Sequence, residues 1–134
     1  MQVWVQRVVM NVPITVAFAS NDGQNIDEHF GRCESYYLYK VSEDSSEFLT
    51  HKKAKQTIED EVGRLEYKIS LISDAKLVCI TQIGPKASMM LKSEGITAMS
   101  VQEGMSIGAF IQKLQGMLAN ESKPLWLKQI VARS

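Results

Sequence analysis

His29 is the residue whose type and setting most invite chemistry. It is one of two histidines in the chain, and Cys33, one of two cysteines, follows four residues later with Arg32 beside it. The acidic pair Asp27 and Glu28 immediately precedes the histidine. All of them lie in the polar run Ser20–Cys33 (SNDGQNIDEHFGRC), directly after the apolar stretch Ile14–Ala19. A neutral imidazole can ligate a metal ion, and a carboxylate two residues away suits the task of orienting such a ring. The same pair also makes an ordinary hydrogen-bonded loop histidine, so both readings stand at this level. Cys33 likewise reads either as part of the loop chemistry or as a small buried residue opening the next strand.

The bulk composition narrows the classes. With 134 residues, 45% hydrophobic and 22% charged, the chain suits one soluble domain over residues 1–134, with a core at 14–119 and a tail at 120–134. Fifteen basic residues balance fifteen acidic ones, which argues against a nucleic-acid-binding surface. The short basic run His51–Lys55 reads as a solvated strand end or loop. Two cysteines without Cys-x-x-Cys spacing form neither a disulfide framework nor a structural zinc site. The Met1–Met10 stretch is broken by Gln and Arg and does not read as a signal peptide, and no run approaches a membrane span. The expected setting is a reducing cytoplasm.

The elements that must position the loop follow from periodicity. Ile14–Ala19 reads as a buried strand, Ser35–Val41 as a second rich in tyrosine, and Glu47–Lys53 as a third, forming an antiparallel hairpin with the second. Val62, Leu65, Ile69 and Ile72 recur at helical spacing, predicting a helix over 59–73. Leu77–Thr81 is a fourth strand, Gly84-Pro85 opens a second helix ended by Gly95, and Ile96–Val101 is a fifth strand. In that second helix Met89 and Met90 read as core filler. Ile107, Phe110, Ile111, Leu114 and Leu118 mark a third helix, and the Pro124–Val131 tail a short further one with Trp126 at the surface.

This order predicts an α/β fold: a mixed five-stranded sheet, third–second–first–fourth–fifth, with the second strand antiparallel and helices flanking. The first strand is then central, and its carboxyl end meets that of the fourth at a topological switch point, where open sheets hold ligands. The His29 loop leaves one strand there and Gly84-Pro85-Lys86 follows the other. A helix start offers free N–H groups and partial positive charge to an anion, supplemented by Lys86 and Arg32.

The strand order is also that of ribonuclease H-like nucleases, whose chemistry needs carboxylates on the central strands to hold two metal ions. Neither Ile14–Ala19 nor Leu77–Thr81 contains one, and no nucleophile relay or Walker-type loop is present. The chain reads as a binder and not an enzyme.

The blocks Val16–Gly23, Ile26–Gly31 (IDEHFG) and Tyr36–Tyr39, with Val78–Ala87 and Gly95-Ile96, closely resemble the dinitrogenase iron-molybdenum cofactor-binding family. That family includes the NifX, NifY and NafY proteins and the C-terminal domain of NifB, and the Pro124–Leu127 tail looks most like the NifX branch. The resemblance covers about residues 14 to 119. It implies a ribonuclease H-like fold without nuclease chemistry. It implies transient binding of the iron-molybdenum cofactor, or its iron–sulfur precursor cluster, during nitrogenase assembly. His29 carries over as the cluster ligand. Cys33, four residues on, is a second candidate metal ligand by its position and not by the resemblance, and Gly31, Arg32, Gly84 and Lys86 line the cofactor site at the switch point. The implied partners are cofactor-assembly proteins, a scaffold and a precursor synthase. A module that docks on that scaffold without holding metal is the alternative.

Overall fold

The computed structural model describes residues 12–55 and 57–133, so the Met1–Met10 segment lies outside the described residues. Strand β1 (Ile14–Ala19) is buried at every position but Thr15. It pairs antiparallel with β3 (Ser35–Val41), which pairs antiparallel with β4 (Ser46–Lys53). On its other side β1 runs parallel to β5 (Leu77–Ile80), and β5 parallel to β6 (Thr97–Ser100). The five-stranded order is β4-β3-β1-β5-β6. Strands covered on both faces lose the apolar–polar alternation, which is why β1 and β5 read as unbroken apolar runs.

Alternate residues of those strands feed two separate cores. Ala17, Ala19, Val78 and Ile80 pack with Leu65 and Ile69 of helix α1 (Glu61–Leu71) and with Ala87 and Leu91 of α2 (Pro85–Ser93). Ile14, Val16, Phe18, Leu77 and Cys79 face the other way, onto α3 (Ile107–Ala119) and α4 (Leu125–Arg133). On this second face Phe18 meets Phe110 and Tyr39 edge-on, with ring centroids 5.8 and 5.7 Å apart. Asp60 caps α1 by accepting the Gly63 N–H at 2.7 Å, and Ser106 caps α3 through Ala109 at 3.0 Å.

Four expectations need correcting. The Ser20–Cys33 run is not irregular throughout: β2 (Asn25–Ile26) pairs antiparallel with β7 (Met105–Ser106). Two residues are too few to show alternation, so this small sheet left no pattern. The α1 stripe begins one turn late, because Val62 is 41% exposed. Met89, read as core filler, is 73% exposed, while Met90 is partly buried. The tail does form a helix, but its anchors are the fully buried Leu127 and Ile130, with Trp126 half-buried against the same core.

Candidate functional site

The polar run leaves the carboxyl end of central β1 in two parts. Residues 20–27 brace themselves. The Asp22 Oδ1 atom accepts the backbone N–H groups of Gln24 (2.8 Å) and Asn25 (2.9 Å), and Oδ2 accepts the Asn25 side-chain amide. Those backbone bonds hold the Asp22 carboxyl down at about 2. Ser20 Oγ accepts the Gly23 N–H at 2.9 Å, and Gly23 turns the chain at φ +77°, a conformation that suits glycine. Its Cα hydrogen side faces the Tyr37 ring, where an added Cβ would lie only 2.9 Å from two ring carbons. Fully buried Ile26 then pins this half into the second core.

Residues 28–33 are held differently, by backbone bonds to the neighbouring strand exit. His29 forms an isolated parallel bridge with Gln82, in which Phe30 N–H donates to Gln82 O (2.9 Å) and Thr81 N–H to Glu28 O (3.0 Å). The His29 carbonyl accepts from Arg32 (3.2 Å) and Cys33 (2.9 Å), closing a turn. Buried Phe30 drives into the first core against Tyr36. The histidine is thereby fixed by its backbone at the switch point, opposite Gln82, which lies two residues before the Gly84 start of α2.

The His29 side chain is half-buried, and no hydrogen bond reaches its ring among the described residues. The orienting carboxylate expected in Asp27 is engaged elsewhere, since its Oδ1 accepts the Asn21 N–H at 3.1 Å. Glu28 accepts from the Asn21 side-chain amide. Thr81 Oγ1, at the exit of β5, is buried and has no hydrogen-bond partner among the described residues.

The other expected site residues fall into three groups. Gly31, Arg32 and Gly84 are exposed at the site, and a Cβ on either glycine would meet open space. Gly84 is the N-cap of α2, Pro85 its first residue, and no side chain caps the helix start. Lys86 is also exposed, but its Nζ pairs with Glu61 of α1 at 3.0 Å, so its charge is partly neutralised. Cys33, by contrast, faces the core. It is fully buried, and its thiol donates to the Ser35 carbonyl at 2.9 Å. Burial pushes that thiol up to about 11, so it stays neutral at neutral pH, when a ligand must be a thiolate. Cys79 is likewise buried, within β5. No cluster of three or more His, Cys, Asp or Glu suited to a metal ion occurs among the described residues.

One residue at the site went unnoticed in the sequence. Lys68 of α1 is 7% exposed, and its ammonium donates to the Gly31 carbonyl at 2.6 Å, tying the His29 turn to the helix. Its only signal was position: 65, 68 and 72 share one helix face, so a lysine among buried leucine and isoleucine had to find a polar partner inside.

Known proteins resemble this chain in sequence and fold. The family model described as dinitrogenase iron-molybdenum cofactor matches residues 12–117. NifX of Azotobacter vinelandii is 30% identical over 122 residues, covering 90% of this chain and 77% of that protein. NifY of the same organism is 25% identical, covering 85% of this chain and 46% of NifY. The apo form of the orange protein from Desulfovibrio gigas has the same fold, with a TM-score of 0.55 at 18% identity over 84% of this chain and 92% of that one. With its family model spanning most of the chain, this protein belongs to the dinitrogenase iron-molybdenum cofactor family.

Proposed function

We propose that this chain is a non-catalytic carrier that transiently holds the iron-molybdenum cofactor or its iron–sulfur precursor during nitrogenase assembly, with His29 as its ligand. Family membership supports the cargo class, and the domain is read as a ribonuclease H-like fold turned to binding. The observation that carries the ligand role is the unpartnered His29 ring, held by backbone bonds beside the uncapped α2 start. A cluster of this kind is a bulky anion that must be released again. One imidazole, aided by the Gly84 helix start, Gly31 and Arg32, holds it with few bonds, whereas a set of thiolates would retain it. The neutral Cys33 thiol is accordingly left out of the proposed ligand set. The protein would work in the cytoplasm, receiving cargo from a precursor synthase and passing it to assembly partners.

The test is anaerobic mixing of the full chain with isolated precursor cluster, followed by size-exclusion chromatography and iron analysis. His29→Ala should bind about tenfold more weakly or worse, and acid should release the cargo because protonated imidazole cannot coordinate. Iron co-eluting with His29→Ala as fully as with the wild type would overturn the ligand role.

A second reading, a docking module that never holds metal, draws on the outer strand β4. Its Phe48 and Leu49 are 51% and 42% exposed. Pull-down of an assembly partner that persists without cluster and in His29→Ala would favour it.

A further inference from the structure

Beside the His29 turn lies a groove of about 360 Å³, formed by Gly31, Arg32 and Glu34, by Ala54, Lys55, Thr57 and Ile58 beyond β4, and by α1. Four cations line it: Arg32, Lys55, Arg64 and Lys68. Glu34 is the one acidic residue on its walls among the described residues. None of the four cations forms an ion pair within 4 Å among the described residues; the pair found there is Lys86–Glu61, on another part of the surface. In a chain whose charges balance overall, this is a local excess of positive charge.

The walls are pre-formed. Arg64 Nη1 donates to the carbonyls of Ile58 (3.2 Å) and Glu59, which fixes the segment leading into α1. The Tyr67 hydroxyl accepts the Lys55 N–H at 3.1 Å, holding the strand exit against the helix. Lys68, one helical turn after Arg64, is buried with its ammonium on Gly31 O, leaving two of its three donors. Like charges at this spacing repel, and burial and then the Arg64 charge hold Lys68 below the ordinary lysine value. The free protein thus keeps together cations that an anion would relieve.

We propose that this groove is an oxyanion subsite for a small polycarboxylate, gripped by the guanidinium of Arg32 and the ammonium groups of Lys55 and Lys68 against the Arg64 wall. Carboxylate oxygens match this donor set, and forked guanidinium groups favour them in paired geometry. The anion is either a free small molecule or a carboxylate borne by the anionic cargo proposed above. Only the second source rests on that carrier reading.

The experiment uses the full chain without cluster and citrate as probe, in about 0.15 M salt to suppress diffuse attraction. Calorimetry and amide chemical shifts should report one saturable site, with shifts at Gly31, Arg32 and Lys55. Affinity should fall about tenfold or more in Lys68→Met and in Arg32→Ala, the latter exposed and free of any folding role. Lys113→Met, on α3 and with the same charge change as Lys68→Met, should bind as the wild type does. No saturable binding, or equal losses in Lys113→Met and Arg32→Ala, would overturn the subsite. A second arm adds isolated precursor cluster to citrate-loaded protein. Competition together with weaker cluster binding in Lys55→Met assigns the groove to the cargo, whereas simultaneous binding, or competition without that loss through the shared Arg32, assigns it to a separate anion. A failure of His29→Ala to lose iron leaves the first arm standing, so the two readings fail separately.

Discussion

The two parts of the Ser20–Cys33 run, residues 20–27 and 28–33, are both polar but differ in what fixes them and in which side chains that leaves over. Residues 20–27 combine the β2–β7 pairing with bonds from their own side chains, above all the Asp22 carboxylate on the Gln24 and Asn25 amides. Residues 28–33 are held by backbone bonds to Gln82 and Thr81 and by the reach of Lys68 from α1. In the first half the polar side chains are consumed by structure. In the second the backbone bonds to Gln82 and Thr81 and the reach of Lys68 suffice, and the His29 ring and the Arg32 guanidinium are left for a ligand. A binding loop gains free chemistry when other parts of the fold carry its backbone.

The contrast can be broken from either end of the pH scale. The largest effect should come from Cys33 in the second half. Its thiol ionises at about 11 in the folded protein, against 9.0 in an unreacted, exposed state. Because the folded value is raised, stability is intact below pH 9 and is lost as pH rises through 9 towards 11, by up to roughly 2–3 kcal/mol. Urea midpoints of wild type and Cys33→Ala should diverge less as pH rises through that window. A difference that stays constant would show that the thiol is not neutral and buried. Cys33→Ala should also leave iron binding unchanged if His29 alone ligates.

Next in size is Gly23→Ala in the first half. The left-handed φ and the 2.9 Å approach to the Tyr37 ring both oppose a Cβ, so the variant should lose roughly 1–3 kcal/mol. Thermal unfolding measures this, and binding at low temperature should survive because the second half is anchored elsewhere. Smaller still is acid loosening around Asp22. A lowered carboxyl contributes stability above its unfolded value of 3.8, which is lost as pH falls through about 2. The Gln24 and Asn25 amide shifts should therefore inflect near pH 2, and Asp22→Asn should abolish the inflection. An inflection near 4 would mean that those hydrogen bonds do not form. At the small end, His29→Ala should move the melting temperature little despite its effect on binding, because no side-chain bond of His29 among the described residues is lost.

Much of the frame was legible in the chain. β1 and β5 announced themselves as short apolar runs, the β3–β4 hairpin through its tyrosines and polar turn, and α3 through an unbroken apolar stripe. The helix opening at Gly84-Pro85 followed from local chemistry, because proline is tolerated only in the first turn. His29 stood out because its type is rare and its loop follows a buried strand. Less legible was everything that depends on two distant segments meeting. The β2–β7 pair joins Asn25 to Ser106 and Ile26 to Met105, far apart along the chain, with two residues each. Lys86 looked like a free cation until α1 supplied Glu61. Cys33 looked like a ligand by spacing, yet the turn that closes on the His29 carbonyl sends its thiol inward.

The sequence by itself determined the element types, the polar loop on the central strand and the family, because these rest on periodicity, turn chemistry and a contiguous motif. Tertiary structure alone decided which of the loop's groups remain available. Availability is what is left after burial and hydrogen bonding, and those depend on partners such as Gln82, Ser35 and Lys68 that lie far along the chain.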